Sequence, residues 1–185
     1  MLAYKGFHPG LICLGYQFSM GKNTTKEANC AQNGFHTAEN PLDCLSYYPN
    51  MNRSEYCLVD VNGDRDEDGV DSKISCTELT ILKKLSREEF FLHALAYMVD
   101  HPKQDWNRHV SKDWAQASGG FAVVRGVNPI ARGELGDILA FAKEDPDTGT
   151  IRQVALTKVD GKEILPGRWY DVDLKEVADE KKGIA

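Results

Sequence analysis

Residues 56–61 read Tyr56-Cys57-Leu58-Val59-Asp60-Val61, and a second run of β-favouring residues extends from Ile74 to Leu82. An acidic, glycine-containing stretch from Gly63 to Asp71 lies between them. Two such runs around a polar turn are typical of a β-hairpin. The sequence therefore predicts a long hairpin as the centre of a strand-rich domain.

A helix is expected directly after this hairpin. Ser86 and Glu89 have the S-x-x-E spacing of a capping box, in which each residue binds the free backbone N–H of the other. The helix should end near Asp100-His101-Pro102, because the residue before a proline disfavours the helical conformation. Its core-facing stripe comprises Phe90, Phe91, Ala94, Leu95 and Met98.

A shorter helix is expected before the hairpin. Gly34-Phe35-His36-Thr37 resembles a strand, and it leads into Asn40-Pro41. Asparagine is a favourable N-cap and proline is tolerated at the first helical position. Leu42 and Leu45 should face the core, and Pro49 should end the helix.

The C-terminal part of the chain is predicted to be all β. Glycines recur every seven residues at Gly119, Gly126 and Gly133, a spacing that fits one short solenoid-like coil or three hairpin strands. Further strands are expected at 137–142, 151–159 and 169–172, with a hairpin turn at Asp160-Gly161. The fold class is thus α+β and β-rich, with an α+β lobe at 1–102, a β lobe at 103–185 and a linker or interface segment at 103–109.

Composition narrows the classes of function. The 185 residues include 22 Lys and Arg against 28 Asp and Glu, a formal charge of −6. This charge disfavours direct contacts with the phosphates of nucleic acid. An acidic surface suits a basic protein partner, or it serves solubility alone. The odd number of scattered cysteines favours reduced thiols, and no segment resembles a membrane span. We expect a cytoplasmic protein.

Two patterns suggest metal sites without completing one. Asp64-x-Asp66-x-Asp68-Gly69 matches the first half of a calcium loop, but its twelfth position is Ser75 instead of a bidentate glutamate. Cys30, His36 and Cys44 lie close in sequence, with Cys13, Cys57 or Cys76 as a fourth zinc ligand, yet no C-x-x-C pair anchors them. The favoured interpretation is a protein without a cofactor.

The sequence predicts an opening strand with Tyr4-Lys5-Gly6, then Gly34-Phe35-His36-Thr37 and a helix that ends at Tyr47-Tyr48. This order of elements resembles the nicotinamide-binding half of ADP-ribosyltransferases. That resemblance implies an NAD pocket formed by Tyr4, Lys5, His36 and Tyr48. The chain departs from the pattern, since Lys5 stands where those enzymes have His or Arg. No third-strand catalytic glutamate is identified, so an NAD-using enzyme is the alternative interpretation.

Three parts of the sequence carry a second resemblance: Tyr4-Lys5-Gly6-Phe7, the segment 34–43, and Val159-Asp160-Gly161-Lys162-Glu163-Ile164 before Trp169-Tyr170. They resemble an uncharacterised domain family of phages and prophages. This resemblance implies an origin in the mobile genetic elements of a bacterial host cell. Proteins of that origin include anti-CRISPR inhibitors. Our leading hypothesis is a non-enzymatic counter-defence protein that binds Cas9, or its guide-RNA complex, and blocks DNA binding or cleavage. A phage structural or accessory module is a third hypothesis, and the oligomeric state stays open. The predicted contact residues are Asp64, Asp66, Glu67, Asp68 and Asp71.

Overall fold

A computed structural model of the chain describes residues 1–30, 32–67, 69 and 72–178. The chain divides into two compact units, Met1–Phe90 and Phe91–Ala185. The division falls within the second helix, upstream of the boundary that the sequence suggests between residues 102 and 103. Among the described residues, no helix is long and apolar enough to cross a membrane.

The first unit is built from short strands and two long ones. Its elements are β1 (Leu2–Phe7), β2 (Ile12–Cys13), β3 (Tyr16–Gln17), β4 (Gly21–Thr24), β5 (Phe35–Ala38), a 3-10 turn (Pro41–Asp43), α1 (Cys44–Tyr47), β6 (Glu55–Glu67) and β7 (Lys73–Leu85). The main sheet has the order β4-β7-β5-β1-β6, and β6 also pairs with β7, so the sheet closes on itself. The strands β2 and β3 form a separate small hairpin.

The predicted central hairpin is present as β6 and β7, which pair antiparallel. Alternate residues of β6, Cys57, Val59 and Val61, are buried in the core of the unit, as the two-residue period of a strand requires. The sequence suggested that the whole acidic stretch is a turn, but part of it belongs to the strand β6. Asp66 and Glu67 are still paired with Ser75 and Ile74 of β7, because strand pairing continues beyond the last apolar side chain.

Both predicted helix starts are confirmed. The Asn40 side chain accepts a hydrogen bond from the Leu42 N–H at 3.1 Å, and Leu42 and Leu45 are fully buried. The second helix, α2 (Arg87–Asp100), begins with a reciprocal capping box. The Ser86 N–H donates to Glu89 Oε2 at 2.9 Å, and the Glu89 N–H donates to Ser86 Oγ at 3.1 Å.

Replacing Ser86 with alanine should lower the free energy of unfolding by about 1 kcal/mol, because the Glu89 N–H loses its acceptor. Urea denaturation followed by the helical circular dichroism signal measures this change. Ser111→Ala is the matched control, since Ser111 lies exposed on a strand and caps no helix. Equal midpoints for both variants would contradict the capping assignment.

The second unit, after the end of α2, contains β8 (Val110–Gln116), β9 (Phe121–Arg132), β10 (Ile138–Glu144), β11 (Ile151–Lys158), β12 (Trp169–Asp171) and β13 (Glu176–Val177). Its sheet has the order β11-β10-β9-β12-β13, and β8 also pairs with β9. The core of the unit includes the fully buried Phe141 and Leu139. The predicted linker segment 103–109 belongs to this unit, where the Trp106 ring centroid lies 4.9 Å from the Arg125 guanidinium carbon.

The glycine steps do not mark equivalent positions. Gly119 lies in the β8–β9 turn, Gly126 lies inside β9, and Gly133 directly follows β9. The strands β8, β9 and β10 pair in parallel, which excludes three successive hairpins. The Asp160-Gly161 turn is also not a hairpin, because the Asp160 carboxylate accepts three following N–H groups and the chain continues to β12, which pairs with β9.

Candidate functional site

A cavity of about 430 Å³ lies in the first unit where β1 and β5 meet. The pairing of these two strands is limited to Tyr4 and Ala38. Each strand contributes three consecutive residues to the wall. The lining residues are Tyr4, Lys5, Gly6, His8, Cys13, Leu14, His36, Thr37, Ala38, Asp43, Cys44, Tyr47, Tyr48 and Lys73.

Lys5 is the most unusual member of the wall, because its side chain is only 3% exposed. Its Nζ lies over the rings of Phe7 and Phe18, whose centroids are 5.4 and 5.3 Å away. The amine donates to the carbonyl of His36 at 2.6 Å and lies 3.6 Å from Cys13 Sγ. Burial lowers the pKa of the Lys5 amine, and the adjacent Cys13 thiol acts in the opposite direction.

Tyr48 forms the opposite side of the same cluster. Its hydroxyl donates to Cys13 Sγ at 3.0 Å, and its carbonyl accepts from the Tyr56 hydroxyl. A Cβ atom on Gly6 would lie 2.5 Å from Tyr48 Cδ2, so only glycine lets the ring pack on β1. Burial raises the pKa of Tyr48, and the hydrogen bond to Cys13 adds to this. The ring is therefore fixed by contacts at several points.

The start of the short helix supplies a carboxylate to the wall. Asp43 accepts from the Ser72 N–H at 3.1 Å and from its hydroxyl at 2.6 Å. Of the described residues that line the cavity, Asp43 is the one carboxylate. Lys73, at the start of β7, lies 3.3 Å from the Tyr47 hydroxyl and 5.6 Å from its ring centroid. The walls thus combine aromatic rings with two amines and two imidazoles.

A sequence family described as a domain of unknown function, DUF7666, matches residues 1–93. The chain belongs to the DUF7666 family. No curated protein sequence matches the chain. No solved structure matches it either. The DUF7666 match contains every residue of the cavity wall.

The DUF7666 domain brings together one of the two sets of residues nominated from the sequence. Tyr4, Lys5, His36 and Tyr48 all line the cavity, and three elements supply them, β1, β5 and the end of α1. Burial raises the pKa of the Tyr4 hydroxyl, with a smaller contribution from Cys44. The residues of the NAD-pocket prediction are therefore neighbours in space.

The acidic set lies elsewhere in the DUF7666 domain. Asp64, Asp66 and Glu67 are exposed on the last part of β6, and Asp66 accepts from the Cys30 N–H at 2.7 Å. Asp68 and Asp71 lie outside the described residues. The described part of the calcium-like pattern is strand instead of an ion-binding loop, since Asp64 to Glu67 belong to β6.

The five cysteines are free thiols. Among the residues that the structure describes, no three His, Cys, Asp or Glu side chains are grouped to hold a metal ion. Cys30, His36 and Cys44, the proposed zinc ligands, thus form no such cluster. Cys44 is buried at the cavity wall, and this burial raises the pKa of its thiol to about 12.

Alkylation of the native protein should distinguish these thiols. At pH 8 iodoacetamide should modify the half-buried Cys13 and Cys30, and spare Cys44, Cys57 and Cys76, which are 0 to 5% exposed. A pKa of about 12 leaves roughly one Cys44 thiol in ten thousand ionised at that pH, and the thiolate is the reactive form. Peptide mass spectrometry with and without urea measures this. Modification of Cys44 as fast as Cys13 in the native protein would contradict its placement.

Several residues of the cavity were not nominated from the sequence as part of this pocket. Cys13 lies on the two-residue strand β2, and Lys73 comes two residues after the acidic stretch. Neither position carries a local signal for this pocket. Lys73 is placed by the pairing of β7 with β5, and Cys13 lies on the small β2–β3 hairpin. Asp43 also lines the wall, and it lies at the start of the short helix.

Proposed function

We propose that the DUF7666 domain of this chain binds NAD in the cavity, with the nicotinamide ring beside Tyr48. The observation that supports this is the convergence of Tyr4, Lys5, His36 and Tyr48 on one cavity. These are the positions at which the chain resembles the nicotinamide-binding half of ADP-ribosyltransferases. They are distant in sequence, so nothing but the fold requires them to meet.

The size and charge of the cavity are consistent with a nucleotide. Its volume of about 430 Å³ lies within the usual range of small-molecule sites. The chain has a formal charge of −6, yet the wall contains the Lys73 amine and the imidazoles of His8 and His36 against the single described carboxylate, Asp43. A lysine amine and imidazole N–H donors suit the pyrophosphate of a dinucleotide, and tyrosine rings suit its planar bases.

The proposed activity is binding without cleavage of the glycosidic bond. A transferase of the kind that the chain resembles uses a glutamate beside the ribose. Here the available carboxylate is Asp43, and its contacts with the Ser72 hydroxyl and N–H compete with any role at a ribose carbon. Incubation with NAD should therefore release no nicotinamide beyond the rate of the buffer control.

Isothermal calorimetry of the full chain with NAD, ADP-ribose and nicotinamide tests the proposal. We expect one NAD site per chain, and weaker binding by Lys73→Ala for NAD and ADP-ribose but not for nicotinamide. Lys26→Ala is the matched control, because Lys26 is an exposed lysine outside the cavity wall. Absence of binding heat at millimolar NAD would reject the proposal.

A second candidate function is counter-defence, in which the protein binds Cas9 or its guide-RNA complex inside a bacterial cell. The observation that favours it is the exposed acidic end of β6, with Asp64, Asp66 and Glu67 in succession around Arg65. Clustered carboxylates can occupy basic surfaces that otherwise hold nucleic-acid phosphates. The same prophage-like resemblance noted above supports this hypothesis.

Cas9 cleavage of a matched target, with size-exclusion chromatography of the mixture, tests this second candidate. The protein in molar excess should block cleavage and elute with Cas9, and the combined variant Asp64→Asn, Asp66→Asn, Glu67→Gln should do neither. The amide at position 66 keeps an acceptor for the Cys30 N–H. The combined variant Glu134→Gln, Asp147→Asn, Glu163→Gln is the control for charge alone, since all three residues are exposed in the second unit. Full cleavage with the unmodified protein would reject the hypothesis.

A further inference from the structure

A buried lysine amine at the wall of this cavity, beside a thiol and aromatic rings, is chemically distinctive. Lys5 shares the core-facing side of β1 with Ala3 and Phe7, where an apolar side chain is the usual choice. Its Nζ reaches the cavity wall beside Cys13 and the His36 carbonyl. An apolar residue at this position would fill the core but would leave the cavity wall without this amine.

We propose that Lys5 is a nucleophile that forms an imine with an aldehyde ligand in the cavity. The Nζ lone pair attacks the carbonyl carbon and forms the C–N bond. The carbonyl oxygen takes up the two protons that the nitrogen gives up and leaves as water. The product is a C=N bond between Lys5 and the ligand, so no oxidant or reductant takes part.

The polar contacts of Lys5 are compatible with the neutral amine that this step needs. A neutral amine has two N–H donors and one lone pair. The two described polar partners of Nζ are the His36 carbonyl at 2.6 Å and Cys13 Sγ at 3.6 Å, which account for the two donors. The lone pair is then left for a ligand. Burial lowers the pKa of this amine, which raises its neutral fraction near pH 7.

The rest of the wall indicates the class of aldehyde. Tyr4 and Tyr48 offer ring faces and edges to a planar ligand, and Lys73 offers a cation for an anionic substituent. We therefore expect an anionic aromatic aldehyde to be preferred over a small aliphatic one. This inference does not require NAD to bind, although both ligands would occupy the same cavity.

The test uses pyridoxal 5′-phosphate as the probe, on the full chain at pH 7, followed by borohydride reduction and peptide mass spectrometry. At substoichiometric probe we expect the reduced adduct on Lys5 at least about tenfold above that on Lys73 or Lys26. The preference should shrink as the pH rises toward the ordinary lysine pKa of about 10.4, where exposed amines also become neutral. Glyceraldehyde in a parallel reaction should label Lys5 less.

Adducts spread over exposed lysines with no excess on Lys5 would overturn the proposal. So would an unmodified Lys5 in a protein whose NAD binding is intact by calorimetry, which separates this failure from failure of the NAD proposal. Lys5→Met should remove the preferred adduct. Because the site is mapped on the unmodified chain, the result does not depend on how well that variant folds.

Discussion

Replacing Phe7 with alanine should lower the free energy of unfolding of the first unit by about 3–5 kcal/mol. Phe7 is fully buried in the core of that unit, and its ring centroid lies 5.2 Å from that of Phe18 in an edge-to-face contact. Removing the ring loses its transfer free energy and leaves a cavity between paired strands. Urea denaturation followed by the amide NMR signals of the first unit measures the change, because all three tryptophans lie in the second unit and their fluorescence does not report on it.

Leu14→Ala is the matched control for Phe7→Ala. Leu14 lies close by in the chain and is 92% exposed, so its removal should alter the free energy of unfolding by less than about 0.5 kcal/mol. A loss of under about 1 kcal/mol in Phe7→Ala would contradict the closed-sheet core.

Replacing Tyr48 with alanine should weaken NAD binding by about tenfold or more. Stacking of a planar base on an aromatic side chain contributes about 1–3 kcal/mol, and about 1.4 kcal/mol corresponds to a factor of ten in affinity. Tyr48 packs on Gly6 and lines the cavity, so its ring is held in place before a ligand arrives. Calorimetric titration with NAD measures the change in affinity.

Tyr48→Phe separates the ring from its hydroxyl. The variant keeps the aromatic face and loses the hydrogen bond to Cys13 Sγ, so NAD affinity should stay within a few-fold of that of the unmodified protein. If both variants bind NAD as tightly as the original chain, Tyr48 does not contact the ligand. If both lose binding equally, the Cys13 contact matters more than stacking.

Local elements of this fold could be predicted because their determinants lie within a few residues of each other. The Asn40 cap, the Ser86–Glu89 capping box and the alternation of Cys57, Val59 and Val61 each depend on short spacings. Such patterns report on backbone hydrogen bonding and side-chain direction directly. The two helices and the central hairpin follow from them.

Long-range pairing could not be predicted in the same way. The parallel pairing of β9 with β8 and β10 is set by contacts between separate segments, and the equal spacing of Gly119, Gly126 and Gly133 gave no information about it. The Asp160-Gly161 dipeptide is a good local turn, but which strand follows it is decided by the pairing of β12 with β9. A local turn signal does not specify a partner.

The candidate site shows the same limit. A family resemblance brought Tyr4, Lys5, His36 and Tyr48 together in the prediction, and all of them line the cavity. Cys13, whose sulfur contacts both Lys5 and Tyr48, was considered only as a spare zinc ligand. Its role in the wall depends on how the small β2–β3 hairpin lies against β1, which no spacing in the sequence encodes.

Binding of NAD in this cavity is best tested by titrating the isotope-labelled full chain with NAD and mapping the amide chemical shifts. We expect saturable shifts concentrated at Tyr4 to Gly6, His36 to Ala38 and Cys44 to Tyr48, with β8 to β11 unaffected. Shifts confined to other surfaces, or none at millimolar NAD, would contradict the assignment of this cavity as an NAD site.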